Sequence, residues 1–385
     1  MAATTTVILG GGVGGLVTAN ELRKQLDRDH RIVLIDREAR HVFWPDLLWL
    51  AVGTRKAEDF TRDLLVLERK GIEVVRGEVE RIDAAQRKVW SNGQEWTADF
   101  LVLSPGAELA PQEIPGLAEA GFNLYTVEGA SALRDARQGI RAGRVVVLIA
   151  RTPFKCPAAP YEEAMLLEYD ARKRKVRDGL EFAIYTPEPG PMGVAGPEVS
   201  AGVRQLVEER GIAYYPQHQV QRVDAVGKRL YFVNGEEASY DFLVYIVPHV
   251  APKVVREAGL TGPSGWVPVD RNTLETQFSQ VYAIGDVTGI PLSMGLPLPK
   301  AGVFAHGEGE VVAHNIALAA KGGRGQPRAF NGDGECFVEV GDGSAAFGRG
   351  NFYAEPRPAV KLYNPGRHWH AGKVLFEKDW LRRWF

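Results

Sequence analysis

Cysteine is nearly absent: Cys156 and Cys336 are the two in a chain of 385 residues. That excludes a disulfide-stapled secreted scaffold. No apolar run is long enough for a spanning helix. No cluster of His and Cys has metal-ligand spacing, so no metal is expected. Charge of one sign is also lacking. Lys and Arg number 46 against 48 Asp and Glu, a net charge of −2, so there is no electrostatic footprint for nucleic acid. Nor is there a basic, cleavable leader. Met1–Thr6 runs directly into Val7-Ile8-Leu9, and the bulk of the chain is expected to stay in the cytoplasm. Glycine, by contrast, is abundant at 43 residues, above the usual share of about 7 %. Many tight turns or close backbone approaches to a ligand follow. Hydrophobic residues at 45 % and charged residues at 24 % are ordinary globular usage, and the length calls for two or three domains.

The first segment reads strand, glycine turn, helix, strand. Thr4–Leu9 is β-branched and apolar, Gly10–Gly15 follows at once, and Leu16–Leu26 has apolar residues near helical spacing. Arg31–Ile35 is a buried strand ending in Asp36. This is a βαβ unit. From Gly71 to Leu103, short strands such as Glu73–Val75, Lys88–Trp90 and Phe100–Leu103 read as a small β-meander inserted into the α/β fold. Ser104-Pro105-Gly106-Ala107 breaks the chain. A second α/β unit opens at Arg144, with strands Val145–Ala150 and Glu181–Tyr185 and helices Tyr161–Arg177 and Glu198–Arg210. Asp241–Val247 and Val281–Ile284 return as buried strands, before a helix from about Lys300 to Ala320. The expected fold is α/β with two Rossmann-like dinucleotide-binding domains. The first is discontinuous, over 1–108 and 240–320; the second covers 109–239; a C-terminal region covers 321–385.

Gly10, Gly12 and Gly15 form G-x-G-x-x-G between strand and helix. In that motif the first glycine permits the tight turn and the second lets the backbone approach a pyrophosphate. The third lets helix pack on strand. The helix N-terminus offers free N–H groups to phosphate. Asp36, 21 residues past Gly15, is placed to accept from ribose hydroxyls. The bland alternative is a glycine turn with no ligand. Val281–Asp286 is a second buried strand, ending in Gly285-Asp286. On these motifs the chain resembles the pyridine-nucleotide disulfide reductase-like flavoproteins over most of its length. That resemblance implies FAD held by Gly10, Gly12, Gly15, Asp36, Gly106, Gly285 and Asp286, the last meeting the ribitol chain. Lys300, after Pro299 at a helix start, adds a cation near the negative charge of reduced flavin; a solvated lysine is the alternative.

An NADH-dependent relative would place a second glycine fingerprint after Val145–Ala150. Here no glycine occurs between Arg144 and Asp178. The loop offers Cys156 between prolines instead. Gly190–Gly196, with G-x-x-G-x-x-G spacing, is the one other place for a nicotinamide nucleotide. The Cys-Pro-x-x-Pro-Tyr-Glu run Cys156–Glu162 resembles sulfide:quinone oxidoreductase and its flavocytochrome c sulfide dehydrogenase relatives. So do Pro299–His306 and Phe376–Leu381.

On the residues alone, each cysteine is either a small buried hydrophobe or a redox group. The resemblance implies a redox pair beside the flavin ring. Sulfide attacks one sulfur and leaves a persulfide, and the other sulfur is released as a thiolate that passes electrons to FAD. Which of Cys156 and Cys336 touches the flavin stays open. Glu162 either handles protons, as the family implies, or caps its helix. His218 and His249 read as surface or core residues. Many family members carry a third cysteine that holds FAD covalently, in one branch where this chain has His41–Trp44. FAD is therefore expected to be noncovalent.

Three of the eight tryptophans, Trp369, Trp380 and Trp384, fall in the last 18 residues. As a helix, Phe376, Trp380 and Trp384 align, with Leu381 and Phe385 beside them and Lys378, Arg382 and Arg383 elsewhere on the circumference. Tryptophan with flanking basic residues suits a membrane interface; docking on the core is the alternative. The implied protein lies peripherally on the cell membrane, on its cytoplasmic side. It takes electrons from sulfide through FAD to a membrane quinone, with homo-oligomerisation left open. Three other readings compete, one of them a non-enzymatic flavin-binding sensor, which would not need both cysteines. A type II NADH:quinone oxidoreductase needs the missing fingerprint, and the flavin subunit of a sulfide dehydrogenase with a cytochrome partner would carry an export signal.

Overall fold

The computed structural model describes residues 3–385. Two five-stranded parallel sheets built on one plan organise it. In the first, Thr5–Leu9 lies between Arg31–Asp36 and Phe100–Leu103, with Glu73–Arg76 and Val281–Ala283 at the edges. Phe100–Leu103 is buried at all four residues, as a strand covered on both faces must be. It is thus a central strand of this sheet. The inserted meander is narrower than expected: Val79–Asp83, Lys88–Ser91 and Gln94–Thr97. Helix α1 (Val13–Gln25) follows the first strand, and a short buried helix α2 (Leu47–Ala51) follows the second.

In the second sheet Gly143–Ile149 is central, between Leu180–Tyr185 and Phe242–Ile246. Ile212–Tyr215 and Phe122–Asn123 form its edges. Helix α3 (Ala159–Lys173) joins Gly143–Ile149 to Leu180–Tyr185. This sheet carries its own meander, Val220–Asp224, Arg229–Phe232 and Glu237–Ser239. The chain crosses between the units where Glu108–Leu109 pairs with His249–Val250. The expected restart of the first domain at 240 therefore falls one strand early. Phe242–Ile246 is buried at all five residues, a run that fits the centre of either sheet; only its pairing decides.

Helix α4 (Gly302–Ala320) packs across α1. At the crossing, a Cβ on Gly309 would lie 2.9 Å from the Gly14 carbonyl oxygen. Three antiparallel strands, Asp333–Gly341, Ser344–Asn351 and Ala359–Gly366, then lead into helix α5 (Arg367–Trp384). Among the described residues no helix is long and apolar enough to cross a membrane.

The buried residues of α5 are Lys373, Glu377, Trp380, Leu381 and Trp384, one face at helical spacing. The aromatic stripe read as outward-facing therefore divides. Trp380 and Trp384 are 3 % and 1 % exposed and pack on His41, Phe43 and His306. Lys70 donates to the Trp384 carbonyl at 2.8 Å. Leu375 and Phe376 remain 66 % and 43 % exposed. A docking face and an anchoring face share one spacing in sequence, and here most of the stripe docks.

Candidate active site

The Gly10–Gly15 turn joins the first strand to α1. Gly10 sits at φ +98°, and a Cβ there would lie 2.2 Å from the Ser104 carbonyl oxygen. At Gly15 a Cβ would lie 1.9 Å from the Gly10 carbonyl oxygen. Gly12 differs, because an added Cβ would meet nothing within 4 Å, and no side chain caps α1. The first N–H groups of α1 thus face open space, a ready site for an anionic phosphate. Asp36 accepts from the Gly11 amide at 2.5 Å and the Glu38 amide at 2.7 Å. Gly106, at φ +72°, also opens on empty space. These glycines form a cradle that side chains would narrow, and the donor set fits a dinucleotide.

Gly285, at φ +73°, and Asp286 follow the edge strand Val281–Ala283. The Gly285 amide donates to Glu308 of α4 at 2.6 Å, and burial pushes that carboxyl up to about 7. The Asp286 carboxylate has no hydrogen-bond partner among the described residues. Burial pushes it up, against the pull of the Lys155 and Lys300 cations.

Lys300 departs from expectation. Its Nζ donates to the carbonyls of Asp286 at 2.7 Å and Thr288 at 2.9 Å. It lies 3.3 Å from the centre of the Trp266 ring. The ammonium is not solvated; it staples the 285–288 turn. Burial pulls it down to about 8. A turn's spare carbonyls leave no mark on residue type, so the sequence carried no signal for this role. Lys155, passed over in the sequence, is held 3.6 Å from the centre of the Trp44 ring.

Cys156 adopts φ +52°, a backbone region rarely used by residues with a side chain. Its amide donates to the Lys300 carbonyl at 2.7 Å, and its carbonyl accepts from the Ala159 amide at 3.0 Å. The Tyr125 hydroxyl donates to the Lys155 carbonyl at 2.6 Å. Cys336 comes from strand Asp333–Gly341, and its thiol donates to the Phe337 carbonyl at 3.2 Å. Both cysteines are free thiols. Glu162, in the first turn of α3, is buried. One of its oxygens accepts from Lys373 Nζ of α5 and from the Glu339 amide, each at 2.9 Å. Glu339 in turn pairs with His370 at 3.0 Å.

The electrostatics join these groups. Burial pushes the Cys156 thiol up to about 12 and Cys336 well above the usual thiol range. The Glu162 charge raises both further, and the Lys373 ammonium pulls both back. Cys156 also feels Asp286, so the sulfur site adjoins the cradle. Burial works against the Lys373 charge, yet Glu162 and Glu339 hold it above the ordinary lysine range. The fold thus gathers Cys156, Cys336 and Glu162 and adds Lys373, which no motif flagged.

The turn after Gly143–Ile149 offers no comparable cradle. The first turn of α3, Ala159–Glu162, is buried, and Pro160 supplies no N–H. Past Leu180–Tyr185, where a dinucleotide fold keeps a ribose-binding acid, Glu188 is engaged by the hydroxyls of Tyr161 at 2.6 Å and Thr186 at 3.1 Å.

Of the two histidines read as surface or core, His218 sits among Tyr185, Tyr215 and Phe232. His249 is different. Its Nδ1 donates to the Val247 carbonyl at 2.7 Å, and its buried Nε2 has no partner among the described residues. Burial, then the Lys155 cation, push it down to about 3.

Parallel sheets, an open glycine cradle and an adjoining thiol pair define a class of dinucleotide-dependent oxidoreductase. The pyridine nucleotide-disulphide oxidoreductase family matches residues 4–149 and 170–313, and the chain belongs to it. The sulfide-quinone reductase of Aquifex aeolicus is 29 % identical over 98 % of this chain and 90 % of that protein. The mitochondrial sulfide:quinone oxidoreductase of Mus musculus is 24 % identical over 74 % of this chain and 66 % of that protein. The X-ray structure of the Aquifex aeolicus sulfide:quinone oxidoreductase superposes with a TM-score of 0.90 at 28 % identity. It covers 99 % of this chain and 91 % of that one.

Proposed function

We propose that this chain is a sulfide:quinone oxidoreductase with noncovalent FAD. The observation that carries the reading is the meeting of both cysteines with the Glu162–Lys373 ion pair beside the open Gly10–Gly15 cradle. In this reading Gly10, Gly12, Gly15 and the α1 N-terminus hold the pyrophosphate. Asp36 meets the adenosine ribose and Asp286 the ribitol chain. When bound, FAD supplies a two-electron acceptor that passes the pair to a quinone.

The cysteines cycle between a sulfur-bridged state and a persulfide paired with a thiolate. HS⁻ attacks one sulfur of the bridged pair and the S–S bond breaks. One cysteine becomes a persulfide and the other leaves as a thiolate. Burial makes that thiolate costly, and Lys373 is the cation that offsets it. The thiolate can then close on the persulfide, forming an S–S bond and releasing a proton, with the electron pair going to the acceptor that FAD would supply. In this reading Glu162 takes that proton. Each HS⁻ thus yields one zero-valent sulfur, one proton and two electrons, and the quinone takes two electrons and two protons.

Leu375 and Phe376 supply an apolar approach from a membrane surface. Phe376 packs against Phe43 and Phe337, and Phe337 adjoins Cys336. The closed N-terminus of α3 weighs against an NADH:quinone oxidoreductase. The test is anaerobic mixing of purified protein with sulfide or NADH, followed by a soluble quinone. Flavin reduced by sulfide and reoxidised by quinone supports the reading; flavin reduced by NADH alone overturns it.

A further inference from the structure

Helix α5 reaches the glycine turn through one side chain. His41 is buried between them. Its Nδ1 lies 2.9 Å from the Gly11 carbonyl oxygen, and its Nε2 lies 3.2 Å from the indole Nε1 of Trp380. A carbonyl only accepts and an indole N–H only donates. These partners admit one form of the ring, the neutral imidazole with its hydrogen on Nδ1. A doubly protonated ring would set two N–H groups head to head at Nε2. The other tautomer would set a lone pair against the Gly11 oxygen as well. Burial pushes His41 down to about 4, which keeps the ring neutral near pH 7. The ring is further packed by Trp380 and Phe385, with centroids 6.1 and 5.4 Å away.

Gly11 is therefore held at both of its backbone groups, the N–H by Asp36 and the C=O by His41. Its neighbour Gly12 is the open position of the cradle. We infer that His41 is a positioning residue for the dinucleotide turn, and that Trp380 of α5 sets FAD affinity by fixing its tautomer. The inference rests on the flavoprotein reading and goes beyond it. It makes the C-terminal helix part of the cofactor site, where its aromatic residues alone read as an anchor.

Trp380→Phe keeps an aromatic six-membered ring and removes the N–H together with the five-membered ring, so its effect is read against the same change in a His41 variant. The FAD dissociation constant should rise about five- to tenfold, the scale of one lost hydrogen bond. The imidazole ¹⁵N spectrum near neutral pH should change from a single Nδ1-protonated form to a mixture. His41→Asn places an amide donor near the Nδ1 position and should keep FAD affinity within about twofold, because the bond to Gly11 survives. In that background Trp380→Phe should no longer weaken FAD binding. Unchanged affinity and tautomer in Trp380→Phe would overturn the inference. So would an equal loss of affinity with and without His41, since the helix would then act by another route. Thermal unfolding of each flavin-free variant separates misfolding from weakened binding. A wild-type chain that takes up no FAD would overturn the flavoprotein reading and this inference together.

Discussion

Glu162 and Lys373 meet at 2.9 Å across 211 residues of sequence, both buried, with both cysteine thiols in their field. Removing one partner leaves the other charged and unpaired in the interior. Lys373→Met should destabilise the fold by about 3–5 kcal/mol, and adding Glu162→Gln should recover much of that loss in urea denaturation. Function should not recover with stability. In Lys373→Met, where the Glu162 charge remains without the cation that pulls the thiols down, sulfide-driven flavin reduction should fall at least ~10-fold and its pH optimum should move up. A double variant with wild-type rates would remove the pair from the chemistry.

Cys156→Ser and Cys336→Ser should each abolish sulfide-driven quinone reduction while keeping FAD. A serine oxygen cannot form a persulfide, and the cradle is built from other residues. Near-wild-type turnover in either variant would make that cysteine a packing residue.

Asp46 predicts a pH dependence of stability. It is fully buried, and neither carboxylate oxygen has a hydrogen-bond partner among the described residues. Burial and the neighbouring Glu377 carboxylate push it up. Glu377 keeps its charge through two contacts to Arg55, at 2.9 and 2.7 Å. The folded state then holds a proton that the unfolded state releases above about pH 4. From there to the folded value, stability falls as pH rises. Asp46→Asn mimics the protonated form and should escape that loss. Its stability advantage should be small near pH 5 and larger near pH 7.5 by urea denaturation. Parallel pH profiles would contradict the assignment.

Much of the fold was legible in the sequence, and the reasons lie in particular residues. The Gly10–Gly15 turn followed by Asp36, and the Gly-free segment after Val145–Ala150, are local patterns that one stretch of chain declares. Phe242–Ile246 was misassigned because a fully apolar strand does not name its sheet. The stapling role of Lys300 was not legible because its partners are backbone carbonyls. Trp380 and Trp384 were read as an anchor because helical spacing shows which residues share a face, not what covers it. Lys373 and His41 left no trace, since each matters through a partner hundreds of residues away, Glu162 and Trp380.

The membrane reading now rests on the exposed pair in α5. Leu375→Asp with Phe376→Asp should reduce co-sedimentation with lipid vesicles and slow reduction of long-tailed quinones. Sulfide-driven flavin reduction should stay intact in Leu375→Asp alone, because Leu375 is 66 % exposed whereas Phe376 packs on Phe337 beside Cys336. Undiminished vesicle binding would move the contact surface elsewhere.

The most direct test is an anaerobic stopped-flow experiment on the wild-type protein. Sulfide should bleach the oxidised flavin band within the turnover time, NADH should not, and a soluble quinone should restore the band. Bleaching by NADH at a rate matching sulfide, or no bleaching by sulfide, would contradict the assignment of the Cys156–Cys336 site as the point where electrons enter.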